Sequence, residues 1–168
     1  DFLGFHGRYV SDSYKRKYFN TGWLRQDVTS TLFGEEKEAV QEAIKRTKQL
    51  ILTKGIFDFF ACYQNGFQQV LATLNQGVSS KQFDRVIKYP VSDIVVGFTA
   101  SKERDSILGH MQQSLNKIDL SIIDDSRDID TALSEGTKLS DLISGAVHNM
   151  QASEEGIRAA KLKKKKRE

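Results

Sequence analysis

Residues 108–160 read LGHMQQSLNKIDLSIIDDSRDIDTALSEGTKLSDLISGAVHNMQASEEGIRAA and contain the most regular apolar pattern in the chain. Apolar side chains recur there at alternating steps of four and three residues, from Leu108 and Met111 to Ile157 and Ala160. A repeat that averages about 3.5 residues is typical of helices that pack along their length. The pattern therefore predicts a long heptad-patterned helical segment in the C-terminal third.

A group of acidic residues near the middle of this segment predicts a break in it. Asp124 or Ser126 is suited to cap a new helix, so two helices over 101–122 and 126–162 are favoured over one unbroken rod. Additional apolar side chains widen the stripe, which suits a globular bundle better than a two-stranded coiled coil. These side chains are Ile123, Leu133, Leu142 and Val147.

Apolar periodicity predicts two further long helices upstream of residue 76. The first, over 34–54, begins with acidic residues that suit the positive end of a helix dipole. Lys54-Gly55 supplies its C-terminal stop. The second, over 57–75, has aromatic and aliphatic residues at three- and four-residue steps and is the clearest core face in the sequence.

A short third helix is predicted after these two. Ser79 or Ser80 can cap it, and Pro90 closes it because the residue before a proline avoids the helical region. Residues 91–99 are ambiguous between a turn of helix and a short extended piece. The predicted fold is therefore all-α, a bundle of four to five helices with an irregular N-terminal arm and a basic C-terminal tail.

The predicted domain organisation has three parts, which are an aromatic and basic arm over 1–27, a helical domain over 28–160 and the tail over 161–168. The arm interleaves aromatic with basic residues, and its spacing fits neither a helix nor a strand. It can dock on a partner, fold back on its own core, or stack on single-stranded nucleic acid. We expect contacts with a protein partner or a second copy through Tyr18, Phe19, Trp23, Leu139, Ile143 and Met150.

The net charge of +3 is concentrated at the C-terminus, where six of the eight residues in 161–168 are basic, so the rest of the chain is mildly acidic. Such a tail suits salt-sensitive contact with nucleic acid or an acidic membrane surface, or it is a solvated terminus without a partner. The predicted anionic-surface contacts are Lys161, Lys163, Lys164, Lys165, Lys166 and Arg167.

No catalytic, metal or cofactor motif is found in the sequence. Neither GxxxxGK[ST] nor GxGxxG occurs, and no cofactor is predicted. His6, His110 and His148 have no histidine or cysteine neighbour at helical spacing, so no metal site is predicted. The single cysteine, Cys62, lies among aromatic residues and is predicted to be a buried thiol. The longest apolar run is far short of the roughly 20 residues that cross a bilayer.

The function class that these patterns favour is a non-enzymatic structural or protein-interaction protein, as a helical subunit of a larger assembly. The first alternative is a binder of an anionic surface, nucleic acid or acidic lipid, that works through the basic tail. A further alternative is a secreted helical signalling protein. The sequence indicates no compartment.

Overall fold

The structure is a computed structural model, which describes residues 5–8, 18–21, 28–75, 77–98, 111, 118–123, 125 and 127–146. Within these residues the protein is α/β, with a four-stranded parallel sheet, so the predicted all-α bundle is wrong. In chain order the elements are β1 (His6–Arg8), β2 (Tyr18–Asn20), α1 (Glu38–Thr47), β3 (Gln49–Thr53), α2 (Ile56–Gln64), β4 (Val70–Ala72), α3 (Ser80–Val86), β5 (Asp93–Gly97), β6 (Asp119–Ile122), α4 (Ile129–Ser134) and α5 (residues 139–146).

The parallel sheet has the strand order β4-β3-β5-β6. In its register Ile51 lies opposite Val70 on one side and Val95 on the other. The central runs of β3, β4 and β5 are fully buried, which is typical of parallel strands covered by helices on both faces. The sheet therefore forms the centre of the core.

The first predicted long helix, over 34–54, is a helix followed by a strand. Lys48 adopts the left-handed conformation at φ 57°, and its N–H donates to the carbonyl of Ile44, which ends α1. The next residues form β3. A short apolar run such as 50–52 is compatible with a helical stripe and with a buried strand. Here it is a strand, because it is buried between two neighbouring strands.

The second predicted long helix, over 57–75, divides in the same way into α2 and β4. After α2, Gly66 adopts a positive φ of 86°, a conformation that glycine adopts without steric cost. The chain then reverses, and residues 70–72 pair with β3 in parallel. The predicted apolar stripe is present on α2, but the apolar residues that follow residue 64 belong to a strand.

The third predicted helix is confirmed as α3. Ser79 is its N-cap, because its Oγ accepts the N–H of Gln82 at 3.1 Å. Gln82 Oε1 accepts the Ser79 N–H in return at 3.1 Å. The ambiguous stretch 91–99 contains β5, so its extended alternative is the correct one.

The predicted C-terminal seam contains a strand and two short helices in its described part. Residues 119–122 form β6, paired with β5, while α4 and α5 are separated by a turn in which Gly136 has a φ of 92°. The predicted coiled coil and helical bundle are therefore wrong. Heptad positions Ile129, Ala132, Leu139 and Ala146 are buried against the α/β core rather than along a helix seam.

The N-terminal arm is not wholly irregular, because β1 and β2 pair as a two-stranded antiparallel sheet, with Gly7 opposite Phe19. In the core, the thiol of Cys62 is buried as predicted, and burial raises its pKa to about 12. None of the helices in the described stretches is both long enough and apolar enough to span a bilayer.

Candidate functional site

The strand order of the parallel sheet marks one position as the candidate site. From β3 the chain passes to β4 on one side, and then returns across β3 to β5 on the other side. The carboxyl ends of β3 and β5 are therefore neighbours at the point where the winding changes direction. Ligands of open parallel α/β sheets bind in the crevice outside the carboxyl ends at such a switch point.

Lys54 directly follows the end of β3, at this switch point. Thr53 is buried, and its Oγ1 donates to the carbonyl of Leu71 at 3.3 Å. The Lys54 carbonyl accepts the N–H of Leu74 at 3.0 Å, so the backbone at the end of β3 is tied to the end of β4. The side chain of Lys54 is partly exposed, and within the described residues its ammonium group makes no hydrogen bond or ion pair.

Asp58, in the first turn of α2, is buried beside the same strand end. Its Oδ2 accepts the N–H of Gly55 at 3.3 Å, and its Oδ1 accepts the N–H of Asp130 at 3.1 Å. The pKa of this carboxyl is raised to about 6, chiefly by burial and also by the charges of Asp128 and Asp130, while the two backbone hydrogen bonds oppose the shift. The carboxylate therefore joins β3 and α2 to the start of α4.

The end of β5 is packed closely against α4. A Cβ atom at Gly97 would lie 2.5 Å from Cδ1 of Ile129, which is buried. Glycine at this position lets the first residue of α4 approach the strand, and this approach brings residues 128–130 to the carboxyl edge of the sheet. Asp128 is the N-cap residue of α4 and is exposed.

Arg127 is the second cation near this edge, and its charge is already balanced. Its guanidinium donates to Asp125 at 2.8 and 3.0 Å and to Glu135 at 2.5 Å. These hydrogen bonds to carboxylates raise the pKa of Arg127 above its usual range. Arg127 therefore fixes the turn before α4. Lys54, in contrast, has no carboxylate partner among the described residues at the switch point.

A concave surface lies between α3 and the turn before α1. It is a groove of about 420 Å³, lined by Glu35, Lys81, Asp84, Arg85, Lys88 and Tyr89. Arg85 donates to both carboxylate oxygens of Glu35 at 2.8 Å, so that pair is neutral. The other charged residues, Lys81, Asp84 and Lys88, give a net charge of +1, and the groove is the weaker candidate because it does not lie at the switch point.

The residues predicted from sequence to make contacts are placed as follows. Phe19 lies on β2 and is 38% exposed. Leu139 is buried in the core, and Ile143 packs against the core. For the others the whole residue, or in the case of Tyr18 the side chain, lies outside the described residues: Tyr18, Trp23, Met150, Lys161, Lys163, Lys164, Lys165, Lys166 and Arg167.

Lys54 is not among the site residues predicted from the sequence, because Lys54-Gly55 resembles the C-terminal stop of a helix. The signal that marks this residue is the order of an apolar run, a glycine turn and an amphipathic helix, which is typical of a strand followed by a helix. Asp58 and Asp130 carry no such signal. They are 72 positions apart and meet only in the folded chain.

Comparison with solved structures identifies primases as structural neighbours. The zinc-binding and RNA polymerase domains of the Aquifex aeolicus primase match with a TM-score of 0.64 and 21% identity, over 86% of this chain and 37% of that one. The RNA polymerase domain of Mycobacterium tuberculosis primase DnaG, in complex with double-stranded DNA, matches with a TM-score of 0.66 and 18% identity, over 84% and 48%. The DnaG primase catalytic domain bound to single-stranded DNA matches with a TM-score of 0.65 and 17% identity, over 85% and 48%.

The chain thus spans less than half the length of each of these three proteins. No protein-family model matches it, and no curated protein matches it. At these identities the likeness establishes the fold, which is the α/β fold of primase catalytic domains.

This fold overturns the function class predicted from sequence. A non-enzymatic helical interaction subunit does not agree with an α/β domain whose structural neighbours are RNA polymerase domains. The prediction that the chain is not an enzyme is wrong for the same reason, since it depends on missing sequence motifs and the fold is that of catalytic domains. Two of the three neighbours contain DNA, and a nucleic-acid partner is consistent with the fold.

Polymerase chemistry is generally supported by divalent ions that carboxylates hold in place. Within the described part of the chain, no three acidic, histidine or cysteine side chains lie where they could hold a metal ion together. Asp58 is turned to backbone N–H groups, and Lys54 stands at the end of β3. The residues described at the carboxyl edge therefore do not fit such an ion.

Proposed function

We propose that this chain acts on nucleic acid and binds a strand at the carboxyl edge of its parallel sheet, between β3 and β5. The observation that carries the proposal is the primase-like fold, with TM-scores of 0.64 to 0.66 over 84% to 86% of the chain. The site proposed for the strand is the switch point of the sheet, where ligands of open parallel α/β sheets bind.

The charges at this crevice support contact with phosphate. Lys54 is partly exposed and has no acidic partner among the described residues, whereas Asp58 is buried and bonded to backbone N–H groups. Contacts between lysine and phosphate release counterions from the nucleic acid. Binding is therefore expected to weaken steeply as salt rises.

The test is fluorescence anisotropy of labelled single-stranded and duplex DNA with the full chain, between about 50 and about 200 mM salt. Hydrogen–deuterium exchange with and without DNA then locates the contact. We expect salt-dependent binding and slower exchange at residues 53–58 and 73–75, with no change at residues 45–49 on the opposite edge. An absence of binding, or protection confined to the groove around Lys81 and Lys88, would contradict the proposal.

Contact of an anionic surface with the basic tail is a separate part of the proposal. Removing residues 161–168 eliminates six positive charges without touching the described core. We expect the truncated chain to bind DNA more weakly but to keep its protection at residues 53–58. Complete loss of binding in the truncated chain would assign the interaction to the tail and not to the sheet edge.

A second candidate function is nucleotidyl transfer, which the likeness to RNA polymerase domains favours. The test is incorporation of labelled ribonucleotides on a single-stranded DNA template, with added Mg²⁺ or Mn²⁺. A product made by the wild-type chain that depends on the template supports this candidate. DNA binding without any product leaves strand binding as the function.

A further inference from the structure

The strands at the centre of the sheet end without carboxylates. The residues that end or follow β3, at 53–55, are Thr-Lys-Gly, and those that follow β5, at 98–101, are Phe-Thr-Ala-Ser. The residues after β4, at 73–75, are Thr-Leu-Asn. Among the four strands, only the edge strand β6 is followed closely by aspartates, at Asp124 and Asp125. A divalent ion held at the switch point would lack acidic ligands from both central strands.

The described aspartates at the carboxyl edge bind the chain itself, except Asp128, which is exposed and makes no side-chain cap hydrogen bond. Both oxygens of Asp58 accept backbone N–H groups, and the side chain is only 5% exposed. Asp125 accepts three hydrogen bonds from Arg127, and Oδ1 of Asp130 accepts the N–H of Thr131 at 2.8 Å. These carboxylates therefore fix the loop and helix starts around the crevice.

Unlike these carboxylates, the charged group of Lys54 is available to a ligand. Its backbone is held by the hydrogen bond from Leu74, while its ammonium group is partly exposed and unpaired within the described residues. It follows the last residue of β3, at the switch point. A lysine ammonium is a compact positive charge that binds phosphate oxygens well.

We infer that the carboxyl edge of this sheet is a metal-independent phosphate site, in which Lys54 contacts the phosphodiester backbone of a nucleic-acid strand. The inference rests on the proposed nucleic-acid binding and names the group that holds the strand. In this site the lysine supplies the positive charge that a carboxylate-bound divalent ion would otherwise bring to the phosphate.

The first experiment compares binding of single-stranded DNA by the full chain in Mg²⁺ and in EDTA, for the wild type, Lys54→Gln, Lys54→Arg and Lys45→Gln. Lys45 is an exposed lysine in the last turn of α1, at the opposite edge of the sheet, and is the matched control. Thermal unfolding of each variant confirms that it is folded.

The wild type is expected to bind in EDTA at least as tightly as in Mg²⁺, because the site needs no divalent ion and Mg²⁺ competes with lysine for phosphate. Lys54→Gln should weaken binding roughly threefold to tenfold and reduce the slope of log K against log salt by about 1, because one phosphate contact is lost. Lys54→Arg should restore most of the affinity, and Lys45→Gln should match the wild type.

Two results would overturn the inference and leave the proposed function intact. One is DNA binding that requires Mg²⁺, and the other is Lys54→Gln binding like the wild type. A wild-type chain that binds no DNA would instead refute the proposed function. Calorimetric titration of the DNA-free chain with Mn²⁺ tests the metal part separately, and saturable Mn²⁺ binding that Asp58→Asn abolishes also overturns the inference.

Discussion

The carboxylate of Asp58 accepts the backbone N–H of Asp130 at 3.1 Å, although the two residues are 72 positions apart in the chain. The bond joins the first turn of α2 to the first turn of α4 beside the ends of the central strands. Because Asp58 is buried, the link combines a charge-assisted hydrogen bond with the cost of removing a carboxylate from water. The carboxyl edge is therefore sensitive to the protonation of one side chain.

The first prediction concerns the pH dependence of stability. The pKa of Asp58 is about 6 in the folded chain and 3.8 as its ordinary value, so the folded state binds the proton more tightly. The contribution of Asp58 to the free energy of unfolding is therefore greatest below about pH 4 and is lost as pH rises through about 6. The loss is about 3 kcal/mol at most. Asp58→Asn does not titrate and should remove this decline.

Urea unfolding at several pH values between about 4 and about 7 measures the effect. Asp141→Asn, which changes an exposed aspartate of α5, is the control and should keep the wild-type pH profile. Parallel profiles for Asp58→Asn and the wild type would show that Asp58 does not titrate in this range.

Some chain boundaries could be predicted from the sequence, but the breaks at Lys48, Gly66 and Gly136 and the type of several elements could not. The stop at Lys54-Gly55 and the cap at Ser79 are real boundaries. The runs 50–52, 70–72 and 94–96 are each three residues long, too short for period to separate a helix from a buried strand. Only pairing of strands distant in the sequence decides their conformation, as in Leu50 opposite Ile94.

The candidate site could be predicted even less well, because it depends on strand order. Lys54 becomes a site residue only when β5 is placed beside β3, with β4 on the other side. A single sequence carries no information on that order until the strands themselves are recognised. The chemistry of Asp58 likewise depends on burial by residues that are remote in the chain.

The second prediction compares two glycines in the same backbone conformation. Gly34 has a φ of 93° and Gly136 a φ of 92°, so alanine costs about 1–2 kcal/mol of conformational strain at either position. A Cβ atom at Gly34 would also lie 2.4 Å from the ring of Phe59, whereas nothing lies within 4 Å of one at Gly136. Gly34→Ala should cost about 1–3 kcal/mol more than Gly136→Ala, by overpacking. Equal losses in urea unfolding would show that the Phe59 ring moves aside freely.

The third prediction concerns the ion pair between Glu35 and Arg85. Both carboxylate oxygens lie 2.8 Å from the same guanidinium nitrogen, but the Arg85 side chain is 42% exposed. Solvent screening should hold the coupling free energy to about 1 kcal/mol or less. A double-mutant cycle with Glu35→Gln and Arg85→Met measures it at low and high salt. Coupling well above this value that persists at high salt would show that the groove screens the pair from water.

The fourth prediction concerns Gln82, which is fully buried in α3. Its Nε2 donates to the carbonyls of Val28, Thr31 and Thr73, each at 2.8 Å, and so joins α3 to the chain before α1 and to the end of β4. Gln82→Met keeps the side-chain volume but removes both the donor and the Oε1 acceptor of the Ser79 N–H, and should reduce the free energy of unfolding by about 3 kcal/mol. The control is Gln41→Met, because the Gln41 amide donates to a single carbonyl at 2.8 Å and is only partly buried, so about 1 kcal/mol is expected. Equal losses of unfolding free energy in the two variants would mean that the three hydrogen bonds of Gln82 together stabilise the fold no more than the single hydrogen bond of Gln41 does.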